Sequence, residues 1–147
     1  RADFYNQELV AESLGLANVL KVSDEELPVL AGYFGLQGDD EAMLAVLCGR
    51  FNLRLAALTR GGEGSLLVAG PEAIAGGLAG QVSDHPGLEA EVRDTIGAGD
   101  SFTAALALGV LKGWDLDAVN ERANAVAAYV CSQPGAMAAV PGELRIT

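Results

Sequence analysis

The sequence predicts an α/β fold built on a mostly parallel sheet, and three observations carry that expectation. Short apolar runs alternate with longer stretches of helical periodicity, the order produced by βαβ units. Half of the 147 residues are hydrophobic and only 20% are charged, as when strands are buried on both faces. The 19 glycines supply the turns and close backbone approaches of such a fold. A chain of this length is expected to form one domain with a core of its own.

The elements follow in order. QELVAESLGLA (7–17) sets Leu9, Val10, Leu14 and Ala17 at helical spacing, and NVLKV (18–22) reads as a buried strand. SDEELPVLAGYF (23–34) reads as a helix opened by a capping box, with Ser23 as N-cap and Glu26 three residues on. Pro28 falls in its first turns, where a proline is tolerated. DDEAMLAVLCGRF (39–51) is a helix whose acidic first turn suits its dipole. LRLAALT (53–59) and SLLVAG (65–70) are strands flanking the turn RGGEG. Short strand pieces and loop are expected from Pro71 to Pro86. LEAEV (88–92) alternates apolar and acidic residues as a half-exposed strand would. GDSFTAALALGVLKG (99–113) and DLDAVNERANAVAAYVCS (115–132) are the last helices, and QPGA breaks the second. No repeat, low-complexity tract or internal linker is visible.

A net charge of -11 argues against binding nucleic acid through phosphate neutralisation. It leaves room for a nucleotide, because a local nest of backbone amides holds an anion inside an acidic protein. Cys48 and Cys131 lie far apart without metal-ligand spacing. A reduced, cytoplasmic setting is the expectation. No 18-residue apolar run predicts a membrane span, and no signal peptide is visible. The chain opens at Arg1 without a methionine, so a processed or incomplete chain is one expectation.

The most informative stretch is DTIGAGDSF at 94–102. It places a glycine-rich turn between a predicted strand and a predicted helix. The first amides of a helix lack internal partners and the dipole adds positive charge there, so Gly97, Ala98 and Gly99 are a candidate phosphate cradle. A dinucleotide fingerprint needs a third glycine where Phe102 stands, and a P-loop needs a lysine where Asp100 stands. What remains is a nest of amides with a carboxylate beside it. That carboxylate would repel a phosphate, but it suits a base that takes a proton from an attacking hydroxyl. Aspartate is equally a favoured N-cap, so the residues alone leave both readings of Asp100 open.

The full run closely resembles the signature D-T-x-G-A-G-D-x-F of the ribokinase-like carbohydrate kinases, also called the phosphofructokinase B family. ANVLKVSDEELPVL (17–30) is similar to the family segment carrying N-x-x-E. LTRGGEGSLL (58–67) resembles the strand, glycine turn and strand beside the nucleotide. ANAVAAYVCSQPGA (123–136) resembles the helix and loop that close over the adenine. The resemblance implies a ribokinase-like, Rossmann-like three-layer sandwich. Residues 1–147 would be its C-terminal nucleotide-binding and phosphoryl-transfer portion, without the N-terminal half and its lid.

The resemblance also implies roles. Asp100 matches the catalytic base, and Gly97, Ala98 and Gly99 match the anion hole. Thr59 and Gly61 match positions lining the phosphates and ribose of ATP, and Asn124 matches a residue near the adenine. Glu26 matches a glutamate that places Mg2+ through water. Ser23 stands where the family has asparagine and keeps a shorter reach to water or phosphate. Asp94, Ile96, Gly135 and Ala136 match a backbone cradle for a monovalent cation, often K+. Arg60 stands where many members have a small residue, free to approach a phosphate or solvent. His85, in SDHPG, reads as a surface-loop residue. The implied partners are ATP and a small sugar or sugar acid, with the fructokinase and 2-keto-3-deoxygluconate kinase branches favoured by KVSDEELPVL.

Two other functions fit the residues. One is a nucleotide-binding module or inactive fragment without a sugar site. Its exposed sheet edge would favour self-association, a homodimer included. The other is an interaction domain in which Asp100 only caps its helix.

Overall fold

The computed structural model describes residues 5–71, 79–135 and 137–146. Along them run α1 (Gln7–Leu16), β1 (Val19–Ser23), α2 (Leu27–Phe34), α3 (Asp40–Phe51), β2 (Leu55–Thr59), β3 (Ser65–Ala69), β4 (Val82–His85), α4 (Ala98–Leu111) and α5 (Leu116–Cys131). Short 3-10 turns lie at Gly61–Glu63 and Gly142–Leu144. The expectation for Pro71–Pro86 falls in part on residues 72–78, outside the described residues; β4 lies within its last part.

The helices start where side chains satisfy first-turn amides. Asn6 accepts from Leu9 N–H at 2.8 Å, Asp39 from Ala42 N–H at 2.9 Å and Asp115 from Ala118 N–H at 2.8 Å. α2 starts later than expected. Ser23 N–H donates to Glu26 Oε2 at 2.8 Å and Glu26 N–H donates to Ser23 Oγ at 3.2 Å. These reciprocal bonds close a turn ahead of the helix, so Glu26 takes the N-cap position expected of Ser23.

The four strands form one sheet in the order β1-β2-β3-β4. Arg54 N–H donates to Asn18 O at 2.8 Å, which sets the start of β2 beside the start of β1, a parallel pair joined through α2 and α3. Arg60 N–H donates to Gly64 O at 2.8 Å and Gly70 N–H to Arg54 O at 2.9 Å, so β2 and β3 form an antiparallel hairpin. Ala69 N–H donates to Gln81 O at 2.9 Å, which makes β3 and β4 antiparallel as well. The sheet is therefore mixed rather than mostly parallel among the described strands. The connection Arg60–Gly64 is too short for the crossover that a parallel pair needs.

Residues 88–92 are not a strand, contrary to their alternation. The chain turns at Gly87, φ 87°, and stays irregular up to α4. Its far end is held by Arg93 N–H and Asp94 N–H, which donate to Cys131 O at 2.8 and 3.2 Å.

The chain packs as two compact units. The first comprises Arg1–Leu58 and Leu67–Val82, and its core includes Leu14, Leu27, Leu44, Leu47, Leu55 and Leu67. The second comprises Thr59–Leu66 and Ser83–Thr147, and its core gathers Phe102, Leu106, Leu116, Val119, Val126 and Val130 from α4 and α5. Gly109 lets these two helices approach: a Cβ there would stand 3.0 Å from Val119 Cγ2. That contact explains a glycine inside a helix, where it costs about 1 kcal/mol relative to alanine. No helix of the described residues is long and apolar enough to cross a membrane.

Candidate functional site

A cavity of about 440 Å3 opens within the second unit. Its walls come from four places in the sequence. Thr59 and the glycines Gly61, Gly62 and Gly64 form one side, and the irregular segment Gly87–Val92 forms another. Ala98, Gly99 and Phe102 come from the first turns of α4, and Asn124, Ala127, Ala128 and Cys131 from one face of α5. The lining is mostly apolar, with few polar side chains, as in sites for flat organic ligands.

Glycine is required at the rim, where two backbone segments touch. A Cβ on Gly64 would lie 2.0 Å from His85 O and 2.2 Å from Gly87 N. A Cβ on Gly87 would lie 2.4 Å from Gly62 O. His85 supports this approach, because its Nδ1 accepts from Gly87 N–H at 3.0 Å. Arg60 is paired with Asp84 and also donates to His85 O at 3.4 Å, while its Nε is buried without a partner. His85 is thus the last residue of β4 rather than the loop residue expected, and Arg60 is tied to that same strand end.

At the other end of the cavity α4 begins. Gly97 is its N-cap, with φ 85°, a left-handed conformation that favours glycine. Asp100 is therefore not the cap, as one reading of the sequence had it. It sits in the first turn, exposed, and its carboxylate has no hydrogen bond or ion pair among the described residues. The hydroxyls of Ser101 and Thr103 turn back onto the helix carbonyls of Ala98 and Gly99, each at 2.8 Å. Ala98 N–H donates to Thr95 O at 3.3 Å, so this amide of the predicted anion hole is engaged. The N–H groups of Gly97, Gly99 and Asp100 have no acceptor among the described residues. A free carboxylate thus stands beside unpaired amides at a helix N-terminus, one residue from the cavity wall.

The predicted residues divide by location. Thr59, Gly61, Ala98, Gly99 and Asn124 line the cavity; Gly97 and Asp100 flank it in the chain without lining it. Asp94, Ile96 and Gly135 are brought together. Asp94 Oδ1 accepts from Ile96 N–H at 2.9 Å, and Oδ2 accepts from Gly135 N–H at 3.2 Å. Ala136, the fourth residue of that cradle, lies outside the described residues. Ser23 and Glu26 belong to the first unit, bonded to each other as described. No cluster of three metal-ligating side chains occurs among the described residues.

The sequence reading missed a buried polar network. Asn120 Oδ1 accepts from Ser65 Oγ at 2.5 Å and from Asn124 Nδ2 at 3.0 Å. Its Nδ2 donates to Ser83 O at 3.0 Å, Ser83 Oγ at 3.1 Å and Ser65 O at 3.3 Å. Asn120 is wholly buried, and Asn124, at 7% exposure, touches the cavity. The available signal was the four-residue spacing of two asparagines on the apolar face of α5. Cys131, also missed, lines the cavity; burial and then the Asp94 carboxylate push its thiol above the ordinary range.

Comparison with known proteins adds the following. The sequence profile of the pfkB family carbohydrate kinases matches residues 1–142. A fructokinase of Klebsiella pneumoniae is 33% identical over 104 residues, covering 71% of this chain and 30% of the fructokinase. A putative sugar kinase of Pyrococcus horikoshii, PH1459, is 32% identical over 131 residues, covering 88% of this chain and 35% of its own length. Its crystal structure superposes with a TM-score of 0.68 over 92% of this chain and 40% of that one. The complex of a putative ribokinase II from E. coli with ATP and Mg2+ shares the fold at a TM-score of 0.72 and 21% identity, over 89% of this chain and 38% of that one. The chain thus spans about a third of the length of the curated relatives it matches.

Proposed function

The chain belongs to the pfkB family of carbohydrate kinases, and from that membership we propose that it is the nucleotide-binding and phosphoryl-transfer portion of an ATP-dependent kinase for a small sugar or sugar acid. The observation that carries this reading is the free Asp100 carboxylate beside unpaired amides where α4 meets the cavity. A cap would have bonded its own helix; this carboxylate has no hydrogen bond or ion pair among the described residues.

The residues present suit a nucleotide. The apolar walls from Phe102, Ala127 and Ala128 accept a flat base and exclude water from it. The glycine rim admits close approach of a phosphate chain, and the free amides of Gly99 and Asp100 face anionic oxygens at the helix end. Bound ATP, with Mg2+ shielding its charge, supplies the phosphoryl group. Asp100 takes the proton from the sugar hydroxyl as that oxygen attacks in line, and the amides hold the charge spread over the transferred group. The carbonyls around Asp94, Ile96 and Gly135 would cradle K+, and Asp94 draws the two loops together.

The test is ADP release in the presence of ATP, Mg2+ and a panel of sugars and sugar acids. Asp100→Asn should lower kcat at least about 100-fold, the scale of a general base, with ATP affinity nearly unchanged. Turnover close to wild type would remove Asp100 from the chemistry. ATP binding without ADP release for any acceptor would instead favour a binding module.

A further inference from the structure

Two walls of the cavity meet at the glycine rim. Gly61, Gly62 and Gly64 belong to one wall, and Gly87 opens the other. Their backbones lie so close that a Cβ on Gly64 or on Gly87 would overlap the opposite segment. Yet the turn Gly61–Gly64 makes no backbone hydrogen bond to Pro86 or Gly87 among the described residues. The Arg60 side chain supplies a link. Arg60 follows β2 directly, Asp84 and His85 end β4, and β3 lies between those strands in the sheet. Arg60 Nη2 donates to the Asp84 carboxylate and to His85 O, the latter at 3.4 Å. His85 O is also the atom that a Cβ on Gly64 would strike, so the guanidinium holds the chain at its point of closest approach. His85 passes that hold on to the second wall, because its Nδ1 accepts from Gly87 N–H at 3.0 Å. Stability alone does not account for this placement. The Asp84 side chain is 60% exposed, and an ion pair so open to water stabilises little. Arg60 Nε is buried without a partner, which costs free energy.

From this geometry we infer that Arg60 is a positioning residue for the nucleotide: it clasps the glycine turn to the end of β4, through Asp84 and His85 O, and so sets the spacing of the two walls between which ATP lies. The inference rests on the nucleotide reading of the cavity. An arginine in a turn beside phosphates suggests the opposite role, a charge that attracts them. Two observations favour the clasp. Arg60 does not line the cavity, although Gly61 and Gly62 after it both do. Its Nη2 is engaged by Asp84 and His85 O, and the Asp84 carboxylate balances its charge. The two roles differ in what Asp84 does for ATP. To a clasp Asp84 is half of the device, whereas to a phosphate-attracting arginine it is a competitor.

The experiment is a calorimetric titration with ATP, as its Mg2+ complex, of the wild type, Arg60→Ala, Asp84→Ala and the double variant. A clasp fails when either partner is lost. Each single variant is therefore expected to bind ATP at least about threefold more weakly, and the double variant no more weakly than Arg60→Ala. An arginine that attracts phosphate gives the other sign, because Asp84→Ala removes a negative charge and frees the guanidinium, so ATP binds more tightly. Asp39→Ala, which removes the N-cap of α3 in the first unit, controls for general loosening. It should lower the melting temperature and leave ATP affinity unchanged. Should Arg60→Ala not fold, Asp84→Ala decides alone, since it alters an exposed side chain. Unchanged or tighter ATP binding in Asp84→Ala overturns the inference and leaves the nucleotide reading standing, as does an equal loss of affinity in Asp39→Ala. Absence of ATP binding to the wild type overturns the nucleotide reading and this inference with it.

Discussion

The carboxylate of Asp94 ties its own loop to Gly135, 41 residues away, accepting from Gly135 N–H at 3.2 Å while its other oxygen accepts from Ile96 N–H at 2.9 Å. One side chain thus holds together the turn that leads into α4 and the loop that follows α5. Removing it in Asp94→Ala should cost roughly 1.5–3 kcal/mol, the range for bonds to an ionised acceptor. If these loops cradle a monovalent cation, K+ should raise the melting temperature of the wild type and leave that variant unmoved. An equal K+ response in the two proteins would refute the cradle.

Asp100 yields a second expectation, on stability rather than rate. Gly97 is the N-cap of α4, and the Asp100 carboxylate bonds to nothing among the described residues. Asp100→Asn and Asp100→Ala should each therefore leave unfolding free energy within about 0.5 kcal/mol of wild type. Loss of a capping side chain would cost about 1 kcal/mol or more. Urea denaturation decides between them, and a clear destabilisation would restore the capping role.

These two aspartates show what was legible in the sequence and what was not. The helices were readable because apolar residues recur at their period and short acidic or amide side chains precede them, as Asp39 and Asp115 do. The glycine turn before α4 was readable as an anion site, but not which residue would cap it, because Gly97 adopts a left-handed φ that no side-chain pattern announces. β4 was hidden for a physical reason: its buried position is filled by Ser83, satisfied by Asn120, so the strand carries no apolar alternation. LEAEV carries that alternation and is no strand: Leu88, Glu89, Ala90 and Val92 all line the cavity, apolar and acidic residues alike. Asn120 was invisible for the same reason as Ser83. A buried polar residue reads as solvated until its partners, 37 and 55 residues away, are known.

The glycine rim predicts a sharp contrast between neighbouring substitutions. Gly87→Ala puts a Cβ 2.4 Å from Gly62 O at a φ of 87°, and Gly64→Ala puts one 2.0 Å from His85 O at a φ of 82°. The obstructing atoms are backbone, which cannot step aside as a side chain can. Each change should destabilise by at least about 2 kcal/mol and weaken ATP binding. At Gly62 an added Cβ meets nothing within 4 Å and φ is not positive, so Gly62→Ala should be close to neutral. Thermal melts of the three variants would check this, and similar values for all three would contradict the close approach.

The two cysteines should differ in how they respond to pH and nucleotide. Burial pushes the Cys48 thiol up to about 11, and a weaker backbone hydrogen bond with Ala56 opposes the shift. Burial, and secondarily the Asp94 charge, raise Cys131 as well, but Cys131 borders the cavity. A raised value keeps each group a thiol at neutral pH, and the thiolate is the nucleophile. Alkylation by iodoacetamide should thus be slow near pH 7 at both sites. It should quicken at Cys131 as the pH rises above neutral, while Cys48 stays silent until the protein unfolds. Removing the nearby charge in Asp94→Ala should lower the Cys131 value and speed its labelling at a given pH. Bound ATP should protect Cys131 by covering it. Mass spectrometry of labelled peptides would measure all of these, and rapid labelling of Cys131 at neutral pH that ATP leaves unchanged would separate this residue from the nucleotide's footprint.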